Sequence, residues 1–172
     1  MAGQRLEQID QMAMFLQEPT RQLIAAIQRD LRLTMFVVHA WRSSAVQAAL
    51  YQQGREYKRE DGIWVVMNQD AVVTDAAPGL SPHNVVTMTG QPASVALDMV
   101  PMSVSTGQLL WNTTRSDWEK IWVLAWKFGL DPLGDSLGSY YPRDLCHFEE
   151  PYWQHKLAGL HLVRPMSLTQ RV

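Results

Sequence analysis

The chain has 172 residues, a mass of 19.6 kDa, 47% hydrophobic and 19% charged residues, and a net charge of −2 with a pI near 6.2. That is one ordinary domain with enough apolar residues to bury a core, which excludes a disordered tail. The charge balance excludes a strongly basic nucleic-acid binder or membrane-surface binder. The single cysteine, Cys146, excludes an internal disulfide framework and a multi-cysteine zinc cluster, so any zinc must be held by the five histidines and the carboxylates. No segment approaches the ~20 apolar residues of a membrane span. The N-terminus carries Glu7 and Asp10 and has no continuous apolar run, so it does not read as a secretory signal peptide.

In chain order, Leu6, Ile9, Met12, Ala13 and Leu16 recur at helical spacing and predict a short amphipathic helix over 4–17. Glu18-Pro19-Thr20 is expected to end it and start a second helix with Leu23, Ile24, Ile27 and Leu31 on one stripe. Residues 1–34 therefore read as a helical extension packed on a domain that spans 35–172. Met35-Phe36-Val37-Val38 predicts a strand running into His39-Ala40-Trp41-Arg42. Ser43 or Ser44 caps a helix over 45–53 that Gly54 ends. The charged stretch 55–62 reads as a solvated loop, and 63–67 and 71–74 as short strands.

Residues 75–94, rich in Pro, Gly, Ser and Thr, read as loops with one embedded hairpin strand. Val95–Val100 predicts a strand with Ala96 and Asp98 on one face. Asp117–Phe128 predicts a helix with Trp118, Ile121, Trp122 and Ala125 on one side and Gly129 as its C-cap. Residues 131–143 read as loop and Leu145–Phe148 as a last strand. Helices at the start and between short strands, without strict βαβ alternation, favour α+β with a small antiparallel sheet and flanking helices.

Three local contexts carry chemistry: Ser81-Pro82-His83-Asn84 in a loop, Asp98 in a strand, and Asp144-Leu145-Cys146-His147-Phe148-Glu149 entering a strand. Two histidines and an aspartate can hold zinc with one position open, the arrangement of catalytic zinc. A further carboxylate is then needed to accept and return a proton, and Asp144 lies three residues before His147. By spacing alone the signal is weak, because a single Asp-x-x-His recurs by chance. Asp98 in an apolar strand needs a metal, a cation or a set of donors. Cys146 is expected on the face opposite His147, in the core. Glu149 either orients a histidine nitrogen or is a plain surface residue, and His39 either lines a cleft or is structural. Trp64, Trp111 and Trp153 could each stack on sugar or peptide, and the sequence selects none of them.

Taken together and in order, these blocks resemble a family. They are Trp41-Arg42-Ser43, Gln47, Leu50-Tyr51 and Gly54; Ser81-Pro82-His83-Asn84; Ser94-Val95-Ala96-Leu97-Asp98; the Trp118 helix ending Gly129-Leu130; and Asp144-Leu145-Cys146-His147-Phe148-Glu149. They are similar to the zinc peptidases of the D-alanyl-D-alanine carboxypeptidase and dipeptidase group, which share the hedgehog/DD-peptidase-like fold. The pattern is nearest the phage endolysins that cut the L-alanyl-D-glutamate bond of peptidoglycan.

The resemblance covers about 35–150. It implies His83, Asp98 and His147 as zinc ligands, Asp144 as general base and acid, Arg42 as oxyanion partner, and Ser81 and Gln47 as substrate-contact residues. Fourteen residues, Asn84 to Leu97, separate His83 from Asp98, more than the family keeps. The excess around Val85–Pro92 is expected to form a loop or hairpin that leaves the two ligands adjacent. Ser94 stands where the family has Gly. The implied partner is the peptidoglycan stem peptide, with no nucleic acid and no membrane span. The implied protein is a monomeric lysin held in the host bacterial cytoplasm until release to the periplasm and cell wall. A D-Ala-D-Ala dipeptidase or carboxypeptidase, and a non-catalytic wall-binding or phage structural module, are the alternatives.

Overall fold

The computed structural model of the chain describes residues 6–133 and 144–165. The loop expected up to 143 therefore lies outside the described residues from 134 onward. A 3₁₀ helix over Leu6–Gln11 leads into α1, Met14–Leu31. The helix boundary thus falls at residues 12–13 and not at Pro19, which sits inside α1. The cause is a tertiary contact: Ala13 N–H donates to the Ser94 carbonyl (2.8 Å) and Ser94 N–H donates to Gln11 (2.9 Å), which interrupts the helical ladder. Pro19 deprives only the Phe15 carbonyl of a partner, and Phe15 belongs to the exposed first turn of the helix. Leu16, Leu23, Ile24 and Ile27 are the buried stripe of α1, which packs on β1 (Thr34–His39) and on α3 (Arg115–Lys127).

Helix α2, Ser44–Gln52, is capped by Ser43, whose hydroxyl accepts from Val46 N–H at 3.3 Å. Gly54 then turns the chain at φ +74°; a Cβ there would stand 2.4 Å from the Asn68 carbonyl oxygen. Beyond it, Arg55–Lys58 is a strand, β2, and not a loop, because it pairs antiparallel with β3, Ile63–Val66. The hairpin is partly exposed on both faces, so charged side chains are carried there at little cost, while Tyr57 and Trp64 face each other across it at 5.4 Å. The strand expected at 71–74 is absent: the Asn68 carboxamide accepts from Asp70 N–H and starts a 3₁₀ turn over Gln69–Ala71.

Another 3₁₀ turn, Pro82–Asn84, precedes β4, Val86–Thr87. Strand β5 is Ala96–Met102, and α3 starts two residues before its expected first residue, with Thr114 accepting from Asp117 N–H at 3.2 Å. Strands β6 (Asp131–Pro132) and β7 (His147–Glu149), helix α4 (Trp153–Lys156) and strand β8 (Leu162–Val163) complete the described chain. The central sheet has the order β1-β5-β7-β6, every neighbour antiparallel. The fold is α+β.

The long His83–Asp98 segment doubles back. Val86 bridges Pro92, Thr87 N–H donates to Gln91, and β4 pairs with β8. All seven residues of β5 are buried. Val95, Leu97 and Met99 join one hydrophobic cluster with Leu23 and Ile27 of α1 and Trp118, Ile121 and Trp122 of α3. Asp98, one residue out of phase, lies outside that cluster and opens to a cleft.

Candidate metal centre

The turn over 81–84 is fastened by three bonds to the residues that follow β1 and by a fourth to Gly79. Arg42 N–H donates to the His83 carbonyl (2.9 Å), and the Asn84 carboxamide donates to the Arg42 carbonyl (2.8 Å). His83 Nδ1–H donates to the Ala40 carbonyl (2.6 Å), and Gly79 N–H donates to Asn84 Oδ1 (3.0 Å). Val95 N–H adds a bond to the Pro82 carbonyl at 3.2 Å. Register then sets Asp98 of β5 opposite His147 of β7 on one side and opposite His39 of β1 on the other, where a bulge between Val37 and His39 shifts the pairing.

Three buried donors converge as a result. His83 Nε2 is 3.2 Å from His147 Nδ1 and 3.4 Å from Asp98 Oδ1, and His147 Nδ1 is 3.0 Å from Asp98 Oδ1. These edges match the ~3.3 Å separating donors around a tetrahedral ion with bonds of about 2.0–2.1 Å. The outward nitrogens are fixed as donors, Nδ1–H of His83 to Ala40 and Nε2–H of His147 to Glu149 Oε2 at 3.2 Å. That leaves both inward nitrogens with lone pairs directed at a carboxylate oxygen. Three acceptors at this spacing require a cation among them, a metal ion or a proton. The group His83, Asp98 and His147 can hold a metal ion.

The charges agree with that geometry. Burial keeps His83 below its ordinary value despite Asp98 beside it. Burial would also lower His147, but its bonds to Asp98 and Glu149 outweigh this and raise it to about 10, so without a metal the centre holds a proton on His147. Asp98 resists the upward push of burial because His83 and His147 hold it well below the usual carboxylate range. Its second oxygen, Oδ2, accepts from Arg42 Nη2 and lies 4.0 Å from His39 Nδ1.

Asp144 stands beside this group, with a carboxylate oxygen within 4.8 Å of one of Asp98. Burial raises it above the ordinary carboxylate value, with Asp98 adding to the rise and His147 opposing it. A carboxylate so placed takes up a proton more readily than a free one. All of these residues line one cleft of about 620 Å³, together with Ser81, whose hydroxyl accepts from His83 N–H.

The chain shares its fold with VanY. One similar structure is a single-substitution variant of the vancomycin-resistance D,D-pentapeptidase VanY from a VanB-type resistance cassette, solved in complex with Zn(II). The two superpose with a TM-score of 0.53 at 15% identity, over 87% of this chain and 78% of that one. No family model matches the chain.

The cleft gathers His83, Asp98, His147, Arg42, Asp144 and Ser81, and leaves out Gln47. Gln47 is fully buried behind the cleft wall, where its amide donates to Ala76 O (2.8 Å) and Thr74 Oγ1 (3.3 Å). Cys146 packs against the hydrophobic cluster, as expected, but it also lines the cleft, and its Sγ is within 4.8 Å of donor oxygens of Asp98 and Asp144. Residues 145–146 form a turn ahead of β7, so strand alternation does not govern that side chain. Burial pushes its thiol far up, which removes it as a nucleophile.

Asn84 and Ser94 are structural participants that the motif contained without disclosing their roles. Asn84 clamps Arg42, and Ser94 anchors the N-terminal segment while its hydroxyl donates to the Ala96 carbonyl at 2.6 Å. Glu149 orients His147. Among the described residues no helix is long and apolar enough to cross a membrane.

Proposed function

We propose that the chain is a zinc metallopeptidase that hydrolyses the peptide stem of bacterial peptidoglycan, at the L-alanyl-D-glutamate bond, as a phage or prophage endolysin. The observation that carries this reading is the buried triangle of His83, Asp98 and His147, with edges of 3.0–3.4 Å, facing a cleft that also contains Asp144 and Arg42. The fold likeness to a Zn(II)-bound D,D-pentapeptidase supports the metal and the substrate class. The order of the sequence blocks supports the endolysin branch.

In this reading His83, His147 and Asp98 would hold the ion, through the inward-facing Nε2, Nδ1 and Oδ1. Zinc in such a site polarises a carbonyl and lowers the pKa of water to about 7. Asp144 accepts the proton of the attacking water on its carboxylate and returns it to the departing amine. Arg42 fixes Asp98 through Oδ2 and offers its remaining N–H groups to negative oxygen on the substrate. Ser81 shapes the cleft floor as it starts the turn that carries His83. Gln47 acts behind the wall, holding residues 74–76 in place. Residues 1–34 are assigned to an extension, whose described part packs on a peptidase domain of 35–172, and the protein acts as a monomer that waits in the host cytoplasm.

Digestion of purified sacculi, with mass spectrometry of the fragments and a chelator control, tests this. The expected result is chelator-sensitive release of stems that begin at D-glutamate. Loss of terminal D-alanine alone supports a second reading, a D,D-carboxypeptidase, which the likeness to VanY favours. No release from zinc-loaded, folded protein rejects both enzymes in favour of a binding module.

A further inference from the structure

A second groove, of about 450 Å³, lies beside the metal cleft between Leu33 and the segment Gln108–Thr114, and Trp111 lines both. Of the three tryptophans that the sequence offered for stacking, Trp153 is buried and Trp64 faces Tyr57 on the hairpin. Trp111 alone of them is 55% exposed and stands at the junction of two depressions. Its backbone is braced: Leu109 bridges Met102 at the end of β5, Leu110 N–H donates to Pro101 O (2.8 Å), and Thr113 Oγ1 donates to Leu110 O (2.6 Å). The indole is therefore carried on a turn that is set before any ligand arrives.

The lining has a definite chemistry. Among the described residues no lysine or arginine lines it, and the one carboxylate that does, Asp117, is already engaged by Thr114 and Lys120. The exposed carboxamides of Gln108 and Asn112 take no hydrogen bond among the described residues. Such a groove selects against phosphate and against charged peptide. It suits a neutral ring with one apolar face and a rim of donors and acceptors: the C–H face lies on the indole and the polar rim meets the carboxamides.

The geometry points to a saccharide subsite that binds an N-acetylated amino-sugar unit of a glycan chain, continuous with the metal cleft across Trp111. Resting on the peptidase reading, it gives that site a preference for stems still attached to their glycan.

The test has two arms on the zinc-loaded full chain. In the first, an N-acetylglucosamine tetramer is titrated into ¹⁵N-labelled protein. Saturable shifts are expected at the Trp111 indole and at the Gln108 and Asn112 carboxamides, and are lost in Trp111→Ala. An unperturbed spectrum, or shifts confined to other residues, overturns the subsite.

In the second arm, kcat/KM is compared for a disaccharide-linked stem and the free stem. The linked substrate is expected to be favoured about tenfold, the worth of one or two hydrogen bonds. That ratio is expected to fall toward one in the double variant Gln108→Ala, Asn112→Ala. A ratio of one in the native protein, or a ratio unmoved by the double variant, overturns it too. If neither substrate is cut, the peptidase reading fails and the titration alone decides the subsite.

Discussion

Strand β5 separates two regions built on opposite principles. On one side Leu97 and Met99 meet α1 and α3 through apolar contact, which has no direction and is spread over many partners. On the other, Asp98 meets Arg42, His83 and His147, each in one geometry. A side chain lost from the first region costs its own burial and a cavity. A group lost from the second strands its partners, because each buried charge is tolerated only while the others answer it. The chain thus places its reactive chemistry where stability is least divisible and places its tolerance elsewhere.

The largest effect expected from a single change falls on the polar side without disturbing its scaffold. Asp144→Asn removes the proposed proton acceptor and keeps the shape. Hydrolysis is expected to fall about 10²–10⁴-fold. Zinc stoichiometry and the thermal midpoint are expected to hold, since Asp144 is outside the triangle and its buried charge is costly. Metal analysis beside steady-state kinetics checks this. Loss of zinc together with activity would make Asp144 part of the metal-holding group.

The mirror experiment falls on the apolar side. Leu23→Ala in α1 removes a fully buried side chain and is expected to cost about 2–5 kcal/mol in denaturant unfolding. Activity per folded molecule is expected to remain unchanged. If kcat/KM fell as well, α1 would be coupled to the cleft, and the division drawn at β5 would not hold.

The two regions also differed in what the sequence disclosed. The apolar side was read from periodicity: the stripe Leu23, Ile24, Ile27 and the set Trp118, Ile121, Trp122, Ala125 are buried as expected. Its errors arose where a distant backbone overrode local preference, as at residues 12–13, where Ser94 takes the place of helical partners. The hairpin strand β2 was hidden because its charges sit on a surface that periodicity does not report. In the polar region, periodicity separated Asp98 from Leu97 and Met99 and said nothing about His83 or Asp144. Those came from the order of motifs, since loop residues meet only through register and turn bonds. For the same reason the sequence could not place Cys146 at the cleft, put Gln47 behind it, or select Trp111 over Trp64 and Trp153.

The smallest effect concerns the proton that stands in for a metal. His147 is raised to about 10 in the metal-free chain, whereas ligation needs its inward nitrogen bare. Below pH 10 each ion bound must therefore expel one proton, and apparent affinity is expected to rise about tenfold per pH unit between pH 7 and 9. Calorimetry in two buffers of different ionisation enthalpy counts that proton directly. The metal-free fold has the reverse dependence. A histidine whose folded value lies above its unfolded value of ~6.5 stabilises fully below that value and loses the contribution as pH rises toward 10. Raising the pH from 7 to 9 should then weaken the metal-free chain while tightening its hold on zinc. A metal affinity that did not change with pH would mean that the proton sits elsewhere, and that His147 already presents a lone pair to the centre.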